Sequence, residues 1–284
     1  MKQYLEKAHV LIEALPYIRK FSSKIILIKY GGSAMENEEL KHCVMQDIAL
    51  LKLVGLKPII VHGGGKDISK LCEKLSLKSE FKNGLRVSDK ATTEVAEMVL
   101  NRINKTLVQN LQSLGVKAIG ICGKDGLLLK CSQRDANLGF VGKIEQVNVE
   151  ILEELLEKDF LPIIAPIGMD ESLNTYNINA DDVACELAKA LKTEKLVFLS
   201  DIEGLYEDYK DKNTLISKLS IKRAKMLLDN IEGGMLVKLK SCIDACEHGV
   251  KKVHILDGRV KHSLLLEFFT DEGIGTLITK EEYQ

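Results

Sequence analysis

Charge of one sign is what this sequence most plainly lacks. Its 40 Lys and Arg residues stand against 41 Asp and Glu, leaving a formal net charge of -1. A nucleic-acid binder that works through a strongly basic face needs clustered cations, so that class is excluded. Long apolar runs are missing as well: none approaches the roughly 20 residues needed to cross a bilayer. The segment from Met1 to Lys20 carries Glu6, His9, Glu13 and Arg19 among its apolar residues, which is not the pattern of a signal peptide. A cytoplasmic protein, off the membrane, is expected. The seven cysteines contain no CxxC pair. Cys242 and Cys246 are four apart on an expected helix, with His248 as the one nearby histidine. They read as reduced thiols acting as small hydrophobes and not as metal ligands. Low-complexity stretches and short-period repeats are also absent.

What is present is an ordinary globular composition, 45% hydrophobic and 29% charged over 284 residues, enough for one large domain or two lobes. Apolar runs alternate with helical patterns. Strands are expected at Ile25–Ile28, Pro58–Val61, Ala118–Ile121, Leu161–Pro166, Leu196–Leu199 and Val253–Leu256. Helices are expected at Asn37–Leu53, Ile68–Leu75, Asp89–Ser113 (capped by Ser88 or Asp89), Glu150–Lys158, Ala180–Leu191, Ile221–Asn230 and Met235–His248. Leu127–Cys131 and Val141–Val147 look like a more exposed hairpin. Strands separated by helices imply parallel pairing with helices on both faces. The expected fold is therefore α/β, a three-layer αβα sandwich around a mainly parallel sheet, with an extra N-terminal helix. Ligands in such sheets bind beyond the carboxyl ends of the strands.

Those ends carry the chemistry. They read Lys29-Tyr30-Gly31-Gly32-Ser33, His62-Gly63-Gly64-Gly65-Lys66, Gly123-Lys124-Asp125-Gly126 and Ser200-Asp201-Ile202-Glu203-Gly204. Glycine lets backbone N–H groups approach an anion, ahead of a helix N-terminus that favours negative charge. A lone Gly-Gly is more often a plain turn, but three successive glycines carry an entropic cost that a turn alone does not require. A Walker A loop fails at Gly65-Lys66, because Ile60 stands where glycine is needed and Asp67 where Ser or Thr is needed. A GxGxxG fingerprint fails at Gly63 because position 68 is isoleucine, and a kinase His-Arg-Asp loop is absent.

Three more clusters stand out. Arg86, in Asn83-Gly84-Leu85-Arg86, offers a planar fork for a carboxylate, or is a surface-loop arginine. Asn177-Ile178-Asn179-Ala180-Asp181-Asp182 is either a helix cap or a site. Lys238 follows Gly233-Gly234-Met235 at the start of a helix, where a cation is misplaced unless an anion is near. His62 is the one tempting acid–base candidate and reads as structural.

In this order the clusters resemble the amino-acid kinase superfamily, and within it the N-acetyl-L-glutamate kinase family, from about Ala14 to Thr279. Asn83-Gly84-Leu85-Arg86-Val87 and Asn177-Ile178-Asn179-Ala180-Asp181 are the more specific motifs. The resemblance implies ATP-dependent phosphorylation of the side-chain carboxylate of N-acetyl-L-glutamate, a step of arginine biosynthesis, with Mg2+ arriving on the ATP and no dedicated metal site. It implies catalytic roles for Lys29, Lys238 and Asp181. Gly64, Gly65, Arg86, Asn177 and Asn179 would bind the acetylated amino acid. Gly31, Gly32, Ser200, Asp201, Gly204, Leu205 and Tyr206 would bind the nucleotide. The implied organisation is an oligomerisation helix at 1–22, an acetylglutamate-binding and dimerising lobe at 23–190, and an ATP-binding lobe with an arginine site at 191–284.

The two ends resemble the arginine-inhibited branch of that family. There the N-terminal helix links dimers into a hexameric ring, and Tyr17, His262, Glu267 and Gly275 would be the matching arginine contacts. A PII-type signalling protein is a further partner of some relatives. Val237 replaces a common proline and Cys122 a common serine, changes that leave the charged groups in place. Two alternatives stay open: another amino-acid kinase acting on aspartate, glutamate, carbamate or UMP, or a non-enzymatic sensor of arginine or a nucleotide.

Overall fold

The computed structural model describes residues 2–208, 211–231, 233–270 and 273–281. Asp271 and Glu272, part of the C-terminal stretch quoted for the arginine-sensitive branch, lie outside the described residues.

In chain order, α1 (Lys2–Phe21) leads to β1 (Ile25–Tyr30), a 3-10 turn at Gly32–Met35 and α2 (Glu38–Leu53). Next, β2 (Lys57–His62) passes through the three glycines into α3 (Gly65–Lys74). A tiny hairpin, β3 (Phe81–Lys82) and β4 (Leu85–Arg86), precedes the long helix α4 (Lys90–Ser113). Then come β5 (Ala118–Cys122), β6 (Leu129–Gln133), β7 (Gly142–Val147) and α5 (Glu150–Glu157). They are followed by β8 (Leu161–Ala165), β9 (Ile167–Met169), β10 (Thr175–Asn177) and α6 (Ala180–Ala190). The last third holds β11 (Lys195–Ser200), β12 (Leu205–Tyr206), β13 (Leu215–Ile216), β14 (Lys218–Ser220), α7 (Ile221–Leu227), α8 (Gly233–Glu247), β15 (Lys252–Asp257), α9 (Ser263–Phe269) and β16 (Thr276–Thr279).

The central sheet runs β14-β16-β15-β11-β1-β2-β8-β5. Its pairs are parallel except β15 with β16. The strands read as continuous apolar runs because both faces are covered. On β1, Leu27 packs into one core with α5, α6 and α8, while Ile26, Ile28 and Tyr30 pack into another with α2 and α9. On β11, Leu196 and Phe198 face the first core and Val197 and Leu199 the second. This period-two division makes the three layers. Among the described residues no helix is long and apolar enough to cross a membrane.

Helix starts follow local chemistry. Asn37 accepts from the Leu40 N–H and caps α2. Asp89, and not Ser88, caps α4 by accepting from Thr92. Several expected boundaries shift: α3 begins at Gly65 instead of Ile68, and α7 ends at Leu227, with a 3-10 turn at Leu228–Asn230. The strand expected to reach Pro166 stops at Ala165, and β9 begins just beyond the proline. The first hairpin strand starts at Leu129 because Asp125–Leu127 forms a 3-10 turn. That hairpin belongs to a second sheet of order β10-β9-β6-β7, whose strand β10 ends at Asn177.

Candidate active site

Three charged side chains meet at the carboxyl side of the sheet. Lys29 leaves β1 with its Nζ 3.1 Å from Asp181 Oδ1, and Lys238 on α8 places its Nζ 2.8 Å from Asp181 Oδ2. Asp181 stands in the first turn of α6. The anion demanded by a lysine near the start of α8 is thus this carboxylate. Burial alone would raise the Asp181 pKa, but the charges and hydrogen bonds of Lys29 and Lys238 overcome burial and hold it at about 2. The Lys238 ammonium also lies over an aromatic face, its Nζ 4.8 Å from the Phe198 ring centre. Two ammoniums and one carboxylate leave a single surplus positive charge, which suits a second, visiting anion.

The glycines after β1 sit close against two charged side chains, and Gly32 is also required by its backbone. A Cβ on Gly31 would come 2.7 Å from Lys29 Nζ. Gly32 has φ +71, and a Cβ there would come 2.3 Å from Asp201 Oδ1. The first strand end is therefore packed directly between the lysine and the end of β11.

All five expected substrate residues line one cavity: Gly64, Gly65, Arg86, Asn177 and Asn179. Arg86 is buried and clamped. Its Nη1 donates to Ser79 Oγ at 2.6 Å, while Nη2 donates to Gly65 O at 2.6 Å and Ser69 Oγ at 2.7 Å. Its guanidinium also lies 4.6 Å from the Phe81 ring centre. Three of its five N–H donors are used, which leaves two for a ligand. Asn179 combines both readings open in the sequence. It caps α6 by accepting from Asp181 N at 2.7 Å and Asp182 N at 3.3 Å, and it lines the cavity. Asn177 donates to Ser88 Oγ at 3.3 Å.

His62 does not line this cavity. It is fully buried, with Nδ1 2.9 Å from Gly63 O and Nε2 3.3 Å from Asn104 Nδ2. Burial pushes its pKa down to about 4. It is a neutral core histidine, as the sequence suggested.

On the nucleotide side the expected residues divide. Ser200 ends β11 and accepts the Gly258 N–H at 2.9 Å, and Asp201 abuts Gly32. Gly204, Leu205 and Tyr206 continue into the β12–β13 hairpin. Leu205 is buried, and its N–H donates to Thr276 Oγ1 at 2.8 Å. Its side chain belongs to the core, so a nucleotide would meet this turn through other atoms.

The four residues matched to arginine contacts gather around α9. Tyr17 lies on α1, which packs against α9 through the edge-on rings of Phe21 and Phe268, 5.5 Å apart. Glu267 sits in α9 with its Oε1 2.7 Å from His254 Nδ1 and 3.7 Å from Lys195 Nζ. Burial would raise the Glu267 pKa, but His254 and Lys195 hold it below the usual range. Lys195 itself is wedged between Phe21 and Phe268, 4.7 and 4.3 Å from their ring centres. Burial lowers its pKa to about 8. His262 caps α9 at φ +57 and turns instead to the buried Asp47, 2.6 Å away. Gly275 has φ +86, and a Cβ there would strike Ile255 O at 2.2 Å. The structure thus places Glu267 and His262 on one short helix but with different partners.

Several residues of this architecture escaped sequence reasoning: Ser69, Ser79 and Phe81, which hold Arg86, and Lys195, His254 and Asp47 around α9. A serine inside α3 and another in the loop after it carry no signal of their own. Lys195 and His254 start and cross otherwise apolar strands, and a polar residue inside such a run was the available clue.

Residues 24–257 match the sequence model of the amino acid kinase family. The chain is 82% identical over 278 residues to the acetylglutamate kinase of Campylobacter jejuni strain RM1221, covering 98% of this chain and 100% of that one. Among solved structures, the N-acetylglutamate synthase from Neisseria gonorrhoeae complexed with coenzyme A and N-acetyl-glutamate is similar with a TM-score of 0.86 and 26% identity, over 97% of this chain and 64% of that one. The same synthase complexed with coenzyme A and L-arginine gives a TM-score of 0.82 at 25% identity, over 96% of this chain and 65% of that one. This chain spans just under two thirds of the synthase's length.

Proposed function

The chain belongs to the amino acid kinase family, and we propose that its site transfers the γ-phosphoryl group of ATP to the side-chain carboxylate of N-acetyl-L-glutamate. The observation that carries this reading is the Lys29–Asp181–Lys238 cluster beside a cavity lined by Arg86, Asn177 and the glycines after β2. One carboxylate oxygen forms a bond to the γ-phosphorus as the bond from that phosphorus to the β–γ bridging oxygen breaks. The products are N-acetyl-L-glutamyl 5-phosphate and ADP, and the electron pair of the broken bond leaves on ADP. No proton moves, because a carboxyl of pKa near 4.3 is already ionised at neutral pH.

The enzyme's work is alignment and charge neutralisation. Lys29 and Lys238 flank the phosphoryl group in transfer, and Asp181 holds both in register. The N–H groups of Gly31, Gly32 and Gly64 face the phosphates. Arg86, Asn177, Asn179, Gly64 and Gly65 hold the acetylated amino acid. Ser200 and Asp201, with the turn at Gly204, Leu205 and Tyr206, border the nucleotide. Lysines and N–H donors around one doubly paired carboxylate suit phosphate oxygens better than a bare cation, so Mg2+ fits as an ion carried by the ATP phosphates. When bound it would neutralise charge on the leaving ADP.

A coupled assay of ATP consumption across acceptors tests the reading. Turnover is expected with N-acetylglutamate; turnover with UMP, aspartate, glutamate or carbamate in its place would reject it.

The second half of the proposal concerns control. Segment 1–22 serves oligomerisation, 23–190 the acetylated substrate and dimerisation, and 191–284 the nucleotide and an inhibitory arginine in a cytoplasmic hexamer, with a PII-type signalling protein as a further partner. Support comes from α1, whose Tyr4, Leu5, Val10, Leu11, Ile12 and Leu15 are exposed, and from the acidic Glu267 beside α1 at α9. A synthase of similar structure is described in complex with L-arginine. Deleting residues 1–20 is expected to convert a hexamer to dimers and to weaken arginine inhibition. Light scattering that finds the hexamer unchanged would reject the role of α1.

A further inference from the structure

The segment between β6 and β7, residues 134–141, has no role in the reaction described above, yet it is tied to three parts of the site. Ser88 N–H donates to Leu138 O at 2.9 Å, and Phe140 N–H donates back to Ser88 O at 2.6 Å. Ser88 follows closely on Arg86, and its hydroxyl donates to Arg86 O at 3.1 Å. On the other side, Asn177 N–H donates to Phe140 O at 3.0 Å. Val141, the last residue of the segment, lines the cavity itself. The fit is tight: Gly139 has φ +71, and a Cβ there would come 2.4 Å from Ser88 O.

The first residue of the segment supplies the third tie. Arg134 forms an ion pair with Asp182, the neighbour of Asp181 in the first turn of α6. Asn179 holds the N–H groups of both aspartates. Asp181 therefore turns toward the two lysines while Asp182 turns toward the segment. The other end of Arg134 is fixed through its backbone, since its N–H donates to Val141 O at 2.9 Å.

We infer that the 134–141 segment is a strut that sets the acetylglutamate cavity at a fixed position relative to the lysine pair, and that Arg134 and Asp182 are the positioning residues that fasten it. The inference rests on the reading that this cavity takes acetylglutamate. Arg134 is 36% exposed and Asp182 27%, so the pair adds little to global stability. Its consequence is geometric: it links the walls carrying Arg86 and Asn177 to the helix turn carrying Asp181. Small misplacements of a bound reactant are costly in phosphoryl transfer, where alignment supplies much of the rate.

Steady-state kinetics of Arg134→Ala, Arg134→Lys and the exchanged pair Arg134→Asp with Asp182→Arg test this. In Arg134→Ala kcat with acetylglutamate is expected to fall about fivefold, with the KM for ATP and the melting temperature unchanged. Arg134→Lys should recover part of the loss and the exchanged pair most of it. An unchanged kcat in Arg134→Ala overturns the inference alone. So does a rise in both KM values together with a fall in melting temperature, which would mark general loosening. Failure of the unmodified enzyme to turn over acetylglutamate would overturn the reading of the cavity and this inference with it.

Discussion

Replacing Lys238 by alanine is expected to lower kcat by about 10²–10³ while moving the KM of either substrate less than about threefold. The expectation follows from where the ammonium stands. Lys238 donates to Asp181 Oδ2 at 2.8 Å and does not line the cavity that holds Arg86 and Asn177. It has little to offer the bound acceptor in the ground state. Its charge matters when negative charge spreads over the equatorial oxygens of the transferring group. A cation used only then changes kcat and leaves binding nearly alone.

The variant also leaves Asp181 with one ammonium instead of two. Lys29 at 3.1 Å still pairs with it, so the carboxylate is not stranded and the fold should survive. Lys238→Arg should not restore the rate, because a longer planar fork cannot put a compact charge where the ammonium stands, 2.8 Å from Asp181 Oδ2. Rapid-quench measurement of the chemical step reads the effect directly. A kcat within a few-fold of the unmodified enzyme, or a KM raised as much as kcat falls, would remove Lys238 from the transition state.

Much of this was legible in the sequence, and the boundary is physical. The three glycines after β2 stood out because their entropic cost exceeds what a turn requires, while Lys29-Tyr30-Gly31-Gly32 alone read more readily as a plain turn and drew its meaning from the other strand ends. Helix starts at Asn37 and Asp89 were legible because capping is local chemistry. The pairing of Lys29 with Asp181 and Lys238 was not, since no spacing rule connects residues so far apart; resemblance supplied it. β9, β10, β12 and β13 were missed because strands of two or three residues owe their form to their partners and carry no period. The segment Ser263–Phe269 escaped because seven residues as apolar as SLLLEFF fit a buried strand as well as a helix. Arg86 was found, but its three anchoring acceptors were not: Ser69, Ser79 and Gly65 O converge only after α3 and the β3–β4 hairpin fold together.

His62 makes the second large effect, in stability. Its folded pKa is about 4 against an ordinary value of 6.5, and the cause is burial. Between those values the unfolded chain binds a proton that the folded chain refuses. Stability attributable to neutral His62 is therefore fully present above pH 6.5 and is lost as pH falls toward 4, by about 3 kcal/mol in all. Asp47 works in the opposite direction. Burial, partly offset by His262, raises it from 3.8 to about 6, so the folded state takes its proton first and gains stability over an overlapping range. Asp181, held at about 2, contributes stability that is present above pH 4 and is lost only as pH falls below that. Total stability in acid thus mixes opposing terms, and a raw melting curve would not isolate His62. The difference between the unmodified chain and His62→Gln does. Glutamine keeps a donor and an acceptor for Gly63 O and Asn104 but cannot be charged. Its advantage over histidine should grow by about 3 kcal/mol from pH 7 to pH 4 in urea unfolding. A difference that stays constant across that range would show that His62 takes its proton as readily in the folded protein as in the unfolded chain.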